Sequence, residues 1–361
     1  MKTGIRRFAE TAAFLIFSAM TFFACAGKPA PLEPEVARYN ILLSPEAEEL
    51  VRKGVACHDQ REYEKAIEYY NQAFGFAPDH PVIYYEMGFS YVAMNENEKA
   101  LELAEKGITG AKALNYTEII PTLLDLKGSA LNNLNRNQEA AAVYSESINE
   151  YGVSDTFMYY NLGVSYYRID RRAEAFDALR KGLSVNANHA NSNYLLGRIC
   201  AEDGKMTQSF YALCYFLLLE PNSDRAVQAY NTVLHMLEQR ETDFRDNGSF
   251  TAADMIISAA FTLDKENARL SPSQKTEAKF YYVFTNMEEQ KNSGKINRGA
   301  GDELWWDFYS PFFYRIAKSG YFGTFCRYIG LTVDPGADDW IENGRDEIEG
   351  FFEWLNDYLE N

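Results

Sequence analysis

The sequence predicts an all-α protein built largely from repeated helix pairs, and three observations carry that prediction. Five glycines, Gly54, Gly88, Gly128, Gly163 and Gly197, recur at gaps of 34, 40, 35 and 34 residues. Twelve positions after each stands a small residue: Ala66, Ala100, Ala140, Ala175 and Ser209. Twelve further on, the first and last members carry Pro78 and Pro221, and proline cannot continue a helical hydrogen-bond ladder. A 34-residue period with this internal spacing describes a helix–turn–helix unit. Its two helices cross at the glycine and the small residue, because only small side chains let two backbones approach that closely.

Ser44-Pro45-Glu46 opens the folded part with a capping hydroxyl, proline at the first helical position and an early carboxylate. Repeat one covers 47–80, with Tyr70 and Ala73 filling its second helix, and repeat two covers 81–114. The six-residue excess near Leu114 to Ile120 predicts a longer second helix plus a loop. Repeat three (121–154) carries Leu131 and Tyr144, and repeat four (156–189) starts behind Asp155 as its cap. Repeat five (190–223) has a second helix, Phe210 to Leu219, that is apolar nearly all round, so both its faces should be covered. Residues 224–238 continue as one further helix, a degenerate sixth unit.

From about Gln239 the period is lost. Asn247-Gly248 is a turn signal inside a polar stretch and marks a boundary. Helices are expected over 251–264, 272–290, 302–309 and 311–318, with Gly320 and Gly323 breaking the last of these and Asp334-Pro335-Gly336 forming a turn. A final amphipathic helix over 345–359 places Ile348, Phe351, Phe352, Leu355, Tyr358 and Leu359 at three- and four-residue spacing. The expected organisation is 1–24 an export signal, 25–43 a proline-rich tether, 44–238 the repeat array, and 239–361 a helical, aromatic and acidic C-terminal domain.

The signal reading rests on Lys2, Arg6 and Arg7 ahead of an apolar run from Thr11 to Ala24, which is short of the roughly 20 residues a membrane-spanning helix needs. Phe22-Phe23-Ala24-Cys25 resembles a bacterial lipobox, with Phe22 in place of the usual leucine. That resemblance implies lipidation of Cys25, which would become the mature N-terminus; ordinary cleavage after Ala26 is the alternative. Pro29, Pro31 and Pro34 follow at once, and residues 27–42, if extended, would reach roughly 50 Å.

The formal net charge is −17. Residues 1–24 carry a net +2 from Lys2, Arg6, Arg7 and Glu10, so a chain processed there carries −19. Such a surface repels phosphate backbones and argues against nucleic-acid binding. Cys57, Cys200, Cys214 and Cys326 form no metal-ligand spacing. Cys200 and Cys214, on the two helices of one repeat, are the only pair worth considering for a disulfide, though buried thiols are the plainer reading. His58, His80, His189 and His235 are scattered, and no nucleophile motif or phosphate-cradling loop is present; Gly299-Ala300-Gly301 is a bare GxG that reads as a loop. Neither an enzyme nor a cofactor or metal is expected.

The glycine, alanine and proline positions together resemble the tetratricopeptide repeat family, over about half the chain. The resemblance implies a right-handed superhelical solenoid of about five repeats whose first helices line a concave groove. Counted from each glycine, the inward-facing positions hold Tyr85, Phe89, Asn132, Asn133, Tyr160, Tyr167, Arg168, Tyr194 and Arg198. Tyrosines mixed with amides and guanidinium groups suit capture of a polypeptide. The family's carboxylate clamp requires lysines and an arginine in addition to asparagines. Repeats three to five offer Asp125, Ser129, Asn161, Asn191 and Leu195 there, so no clamp is expected.

Two further clusters stand in the C-terminal part. Trp305, Trp306, Phe308, Tyr309, Phe312, Phe313 and Tyr314 are seven aromatics in ten residues, and with Trp340 and Trp354 they are expected to form the core of a cap on the last apolar face of the array. From Asp334 onward ten carboxylates face Arg345 alone, read as a solvated outer face or a landing surface for a basic partner. The layout resembles bacterial tetratricopeptide repeat lipoproteins. The function expected is a membrane-anchored adaptor or scaffold that binds protein or peptide partners, basic ones included, at the periplasmic or outer face of a bacterial cell envelope. A ligand- or solute-binding accessory component of a transport system is the alternative, to be raised by a closed apolar pocket near Trp305 and Trp306.

Overall fold

A computed structural model of the chain describes residues 43–238, 247–296 and 298–360. The export signal, Cys25 and the tether up to residue 42 lie outside the described residues, as do 239–246. Every regular element among the described residues is helical. Five helix pairs follow one another: α1 (Pro45–Asp59) with α2 (Tyr63–Phe74), α3 (Pro81–Ala93) with α4 (Asn97–Ala113), α5 (Ile120–Asn133) with α6 (Asn137–Glu150), α7 (Thr156–Arg168) with α8 (Arg172–Val185), and α9 (Ala190–Glu202) with α10 (Met206–Leu219). A sixth first helix, α11 (Asp224–Glu238), closes the series. Two expected caps are in place, Ser44 accepting from the Ala47 N–H and Asp155 from that of Met158. The excess after repeat two is a 17-residue α4 and a short 3-10 turn at Thr117–Ile119.

Close approach explains the glycines. A Cβ on Gly54 would stand 2.3 Å from a ring carbon of Tyr70, and one on Gly88 would stand 2.5 Å from Leu126 Cδ2. The four alanines of the pattern are fully buried. Where the fifth repeat substitutes Ser209, its hydroxyl donates to the Gly197 carbonyl at 2.8 Å, so the polar atom is satisfied inside the crossing. A second periodicity accompanies the first. Seven residues after each glycine, Arg61, Asn95, Asn135, Asp170 and Gly204 adopt φ between 58° and 73°, the left-handed conformation that turns the first helix of a pair back toward the second.

Among the described residues the chain divides into two compact units between Gly182 and Leu183. The series of repeat helices runs on to 238, but compactness divides earlier because the fifth helix pair shares its core with the C-terminal segment. That segment comprises α12 (Thr251–Ala259), α13 (Leu263–Glu266), α14 (Pro272–Asn292), a π-helical turn at Leu304–Tyr309, α15 (Ser310–Ala317), α16 (Phe322–Ile329), α17 (Ala337–Asn343) and α18 (Arg345–Glu360). The expected helix over 251–264 is interrupted by a 3-10 turn at Ala260–Thr262. Gly323 does not break a helix as expected but lies inside α16, with no neighbour nearer than 3.5 Å to where its Cβ would be. Helices α16 and α17 were not anticipated, because each is eight residues or shorter and is held by burial of Phe322, Phe325, Tyr328 and Trp340 rather than by a long periodic stripe.

The all-round apolar helix of repeat five is the centre of this second unit. Residues Thr207 to Leu218 of α10 are all buried, as its sequence required. The rings of Tyr211 stack near Phe284 (6.4 Å), Tyr309 (6.2 Å) and Phe313 (5.8 Å), and Tyr215 meets Phe308, Tyr309 and Phe312 edge-on at 5.2 to 5.4 Å. Asp254 of α12 reaches the start of α10 and accepts from both the N–H and the hydroxyl of Thr207, at 2.7 and 2.6 Å. Burial raises the pKa of its carboxyl, and those bonds oppose the rise. Cys200 and Cys214 are free, fully buried thiols whose pKa burial raises, so they pack as small hydrophobes.

Candidate functional site: the faces of the first helices

Within each unit, bonds between residues about one period apart join neighbouring first helices. His58 Nδ1 lies 2.9 Å from Ser90 Oγ, Asn161 donates to Asp125 at 3.2 Å, and Ser165 donates to Asn132 at 3.0 Å, the partners being 32 to 36 residues apart. Residues one period apart therefore meet across neighbouring helices, and part of the polar equipment expected to face a partner is engaged within the chain.

In the unit ending at Gly182, the expected residues divide accordingly. Asn132 is buried, and its backbone carbonyl accepts from Arg168 Nη1 at 2.9 Å. Arg168 thereby satisfies a carbonyl in the last turn of α5, where a cation is favoured by the helix dipole. Asn133 is exposed and donates to Asn97 Oδ1 at 2.9 Å. Tyr160 and Tyr167 are half-buried on α7. Tyr85 and Phe89 on α3 are brought together, their rings 6.2 Å apart and nearly parallel. Phe89 is 46% exposed and stacks at 4.9 Å on His58, whose ring meets Tyr63 edge-on at 5.2 Å. His58 was not foreseen as part of this face, although it stands at the inward-facing position four after Gly54. Its pKa is lowered by burial, with the nearby Asp59 charge opposing.

In the unit beginning at Leu183, Tyr194 is buried rather than presented. Its ring packs on Phe216 at 4.9 Å, and its hydroxyl donates to Gln228 Oε1 at 2.9 Å. The guanidinium groups of Arg225 and Arg198 stand 5.3 and 5.8 Å from its centroid. Arg198 is exposed and pairs with Glu202 at 3.4 Å. Tyr194, Arg198, Glu202, Gln228 and Thr232 line a cavity of about 170 Å³. Arg225 was missed by the sequence reading, though it lies one period beyond Asn191, to which it donates at 2.8 Å while holding Glu220 at 2.6 Å. The positions compared with a carboxylate clamp are thus occupied internally: Asp125 by Asn161, and Asn191 by Arg225.

The aromatic cluster is core. Trp305, Trp306, Tyr309, Phe312 and Phe313 are at most 2% exposed and pack ring against ring, so they leave no open face for a ligand. Lys291 of α14 donates to the Trp306 carbonyl at 2.9 Å and pairs with Glu288, fixing the π-helical turn that seats the two tryptophans. On α18 the apolar stripe is turned inward, while Asp346, Glu347, Glu353 and Asp357 are exposed. Among the described residues no group of three or more histidines, cysteines or carboxylates is placed to hold a metal ion, and no helix is long and apolar enough to cross a membrane.

Comparison with known proteins places these helix pairs. The tetratricopeptide repeat family model matches residues 50–80 and 158–189, the first and fourth repeats. The heat-shock protein cognate co-chaperone sgt12 of Aspergillus fumigatus is 39% identical over 62 residues, which are 17% of this chain, and the chain spans 18% of that relative's length. Among solved structures, MamA from Desulfovibrio magneticus RS-1 aligns with 51% of this chain and 99% of its own, at 16% identity and a TM-score of 0.43. YrrB, described as a tetratricopeptide repeat protein with an unusual peptide-binding site, aligns with 50% of this chain and 90% of its own, at 18% identity and a TM-score of 0.40. The apo form of RapI aligns with 75% of this chain and 96% of its own, at 14% identity and a TM-score of 0.46. The two matched segments are tetratricopeptide repeats, and the same crossing residues recur in the helix pairs between and beyond them.

Proposed function

We propose that this protein is an adaptor that binds a polypeptide partner on the faces of its first helices, tethered by a lipidated Cys25 to a membrane of the bacterial envelope. The observation that carries the binding part is the ring stack of His58, Phe89 and Tyr85, with Phe89 left nearly half exposed on a helix that is otherwise well packed. A large apolar ring held by stacked neighbours loses little entropy on binding and is the kind of anchor that dominates interfaces. Asn133, Tyr160 and Tyr167 supply polar and aromatic contacts on the same unit. The family match supports an interaction module, and the tether is supported by the lipobox-like Phe22-Phe23-Ala24-Cys25 and the prolines behind it. A basic partner is favoured by the net charge of −17.

The test is site-specific. A photo-crosslinking phenylalanine at position 89 should capture one discrete envelope protein, and the same group at exposed Glu98 should not. Equal, diffuse products from both positions would remove the binding part. Cys25→Ser should move the protein from the membrane fraction to the soluble one, and unchanged partitioning would remove the tether.

A further inference from the structure

A cleft in the unit beginning at Leu183 has a chemistry that the repeat face does not share. It has a volume of about 710 Å³ and lies between α11, the start of α14, α16 and the turn that ends at Pro335. That volume is in the range of small-molecule sites. Leu234, Val333 and Pro335 make part of its wall apolar. Two glycines keep it open: the Tyr230 hydroxyl lies 3.1 Å from where a Gly330 Cβ would be, and Glu277 Oε1 lies 3.5 Å from that of Gly323.

The charged groups are predominantly acidic. Among the described residues, Glu238, Glu277 and Asp334 line the cleft against a single cation, Arg327, which Asp334 already holds at 3.0 Å and which lies over the Trp340 ring. Among the described residues, Glu238 and Glu277 have no ion-pair partner. Tyr230 is only 8% exposed, lines the same cleft, and its hydroxyl has no hydrogen-bond partner among the described residues. Burial raises the pKa of that hydroxyl, and the charges of Asp334 and Glu238 add to the rise, so it stays an O–H with a lone pair to offer. A half-enclosed cleft whose two carboxylates have no ion-pair partner among the described residues focuses a negative potential, and the apolar wall adds a place for an uncharged stem.

We propose that this cleft binds an organic cation, a guanidinium or ammonium group on an aliphatic stem, with the head between Glu277, Glu238 and the Tyr230 hydroxyl and the stem against Leu234 and Val333. The cation can be a free small molecule or the side chain of a polypeptide, and the two sources are separable. Titration of the full chain with agmatine, with N-acetylarginine amide and with valerate, followed by calorimetry, distinguishes them. Saturable binding of agmatine alone assigns a free cation, and binding of N-acetylarginine amide assigns a side chain. Valerate should not bind.

Glu277→Gln should weaken the binding about 10-fold, the loss expected for one partly desolvated charge contact, and added salt should weaken it further. Gly323→Leu adds a side chain at the exposed wall of the cleft and should abolish binding while leaving the thermal transition in place, which separates blockage from misfolding. The proposal is overturned if neither cation binds saturably, if valerate binds as well as agmatine, or if the folded Glu277→Gln and Gly323→Leu proteins bind like the wild type.

Discussion

The two compact units use aromatic residues in opposite ways. In the unit ending at Gly182, neighbouring helix pairs are tied by small crossing residues, aliphatic side chains and single tyrosines such as Tyr70 and Tyr144, and Phe89, stacked on His58, is held 46% exposed on the surface. In the unit beginning at Leu183, rings are the core itself: Phe210, Tyr211, Tyr215, Phe284, Trp306 and Phe313 are at most 1% exposed. The difference follows from α10. A second helix that is apolar on one stripe is satisfied by its neighbours in the array, whereas one that is apolar all round requires a further layer, which the segment after residue 247 supplies. Aromatic density in a sequence therefore does not separate a binding surface from a core; the number of faces a neighbouring helix must cover does.

The sharpest way to break this comparison is to remove one ring from each side. Trp306→Ala should destabilise its unit by about 3–5 kcal/mol, visible as early loss of the near-ultraviolet signal on denaturant titration. Phe89→Ala, at a half-exposed position, should cost well under 1 kcal/mol and instead abolish partner capture. If the two costs were similar, the distinction between core and surface rings would fail. The crossings come next. Gly54→Ala drives a methyl group into the rigid Tyr70 ring and should cost about 1–3 kcal/mol, whereas Gly320→Ala, with nothing within 4 Å of the added atom, should be close to neutral by thermal melt.

Smaller effects sharpen the account of the repeat face. Arg61 sits at φ 64°, and Arg61→Gly should raise stability by roughly 0.5–1 kcal/mol by relieving a left-handed residue that carries a Cβ. Asp125 has its pKa raised by burial, against the bond from Asn161. A carboxyl with a raised folded-state pKa favours folding below its unfolded value and loses that advantage as pH rises through the folded value. Asp125→Asn, which keeps an acceptor for Asn161, should therefore raise the melting temperature at neutral pH, and the gain should vanish in acid below the ordinary aspartate range. A gain that persisted there would mean the charge is not the cause.

Much of the first unit was legible. The glycines and their partners twelve residues on fixed the pairing of helices because a close crossing tolerates only small residues. The caps at Ser44 and Asp155 were read directly, and the covering of both faces of α10 followed from its composition. The left-handed positions were equally periodic, and at Asn95, Asn135, Asp170 and Gly204 they could have been read, since asparagine, aspartate and glycine are the residues that accept such a turn; only Arg61 carries no such signal. Short helices such as α16 were not legible, because a run of eight residues has too few turns to show a stripe. For the candidate face, residue positions were accessible and residue roles were not. Asn132 and Arg168 stand where a partner was expected and bond to each other's helices instead.

By itself, the sequence determined what depends on local and periodic chemistry: an all-helical chain, the number and register of its pairs, and the absence of the charges a carboxylate clamp needs. Only the tertiary structure decided which polar and aromatic residues one period apart satisfy each other and which remain to face solvent. The physical reason is that hydrogen bonding and burial are exclusive. Tyr194 and Phe89 occupy equivalent first-helix faces, yet Tyr194 is buried against Phe216 and Gln228 while Phe89 is left 46% exposed, and that outcome depends on partners 22 and 34 residues beyond Tyr194.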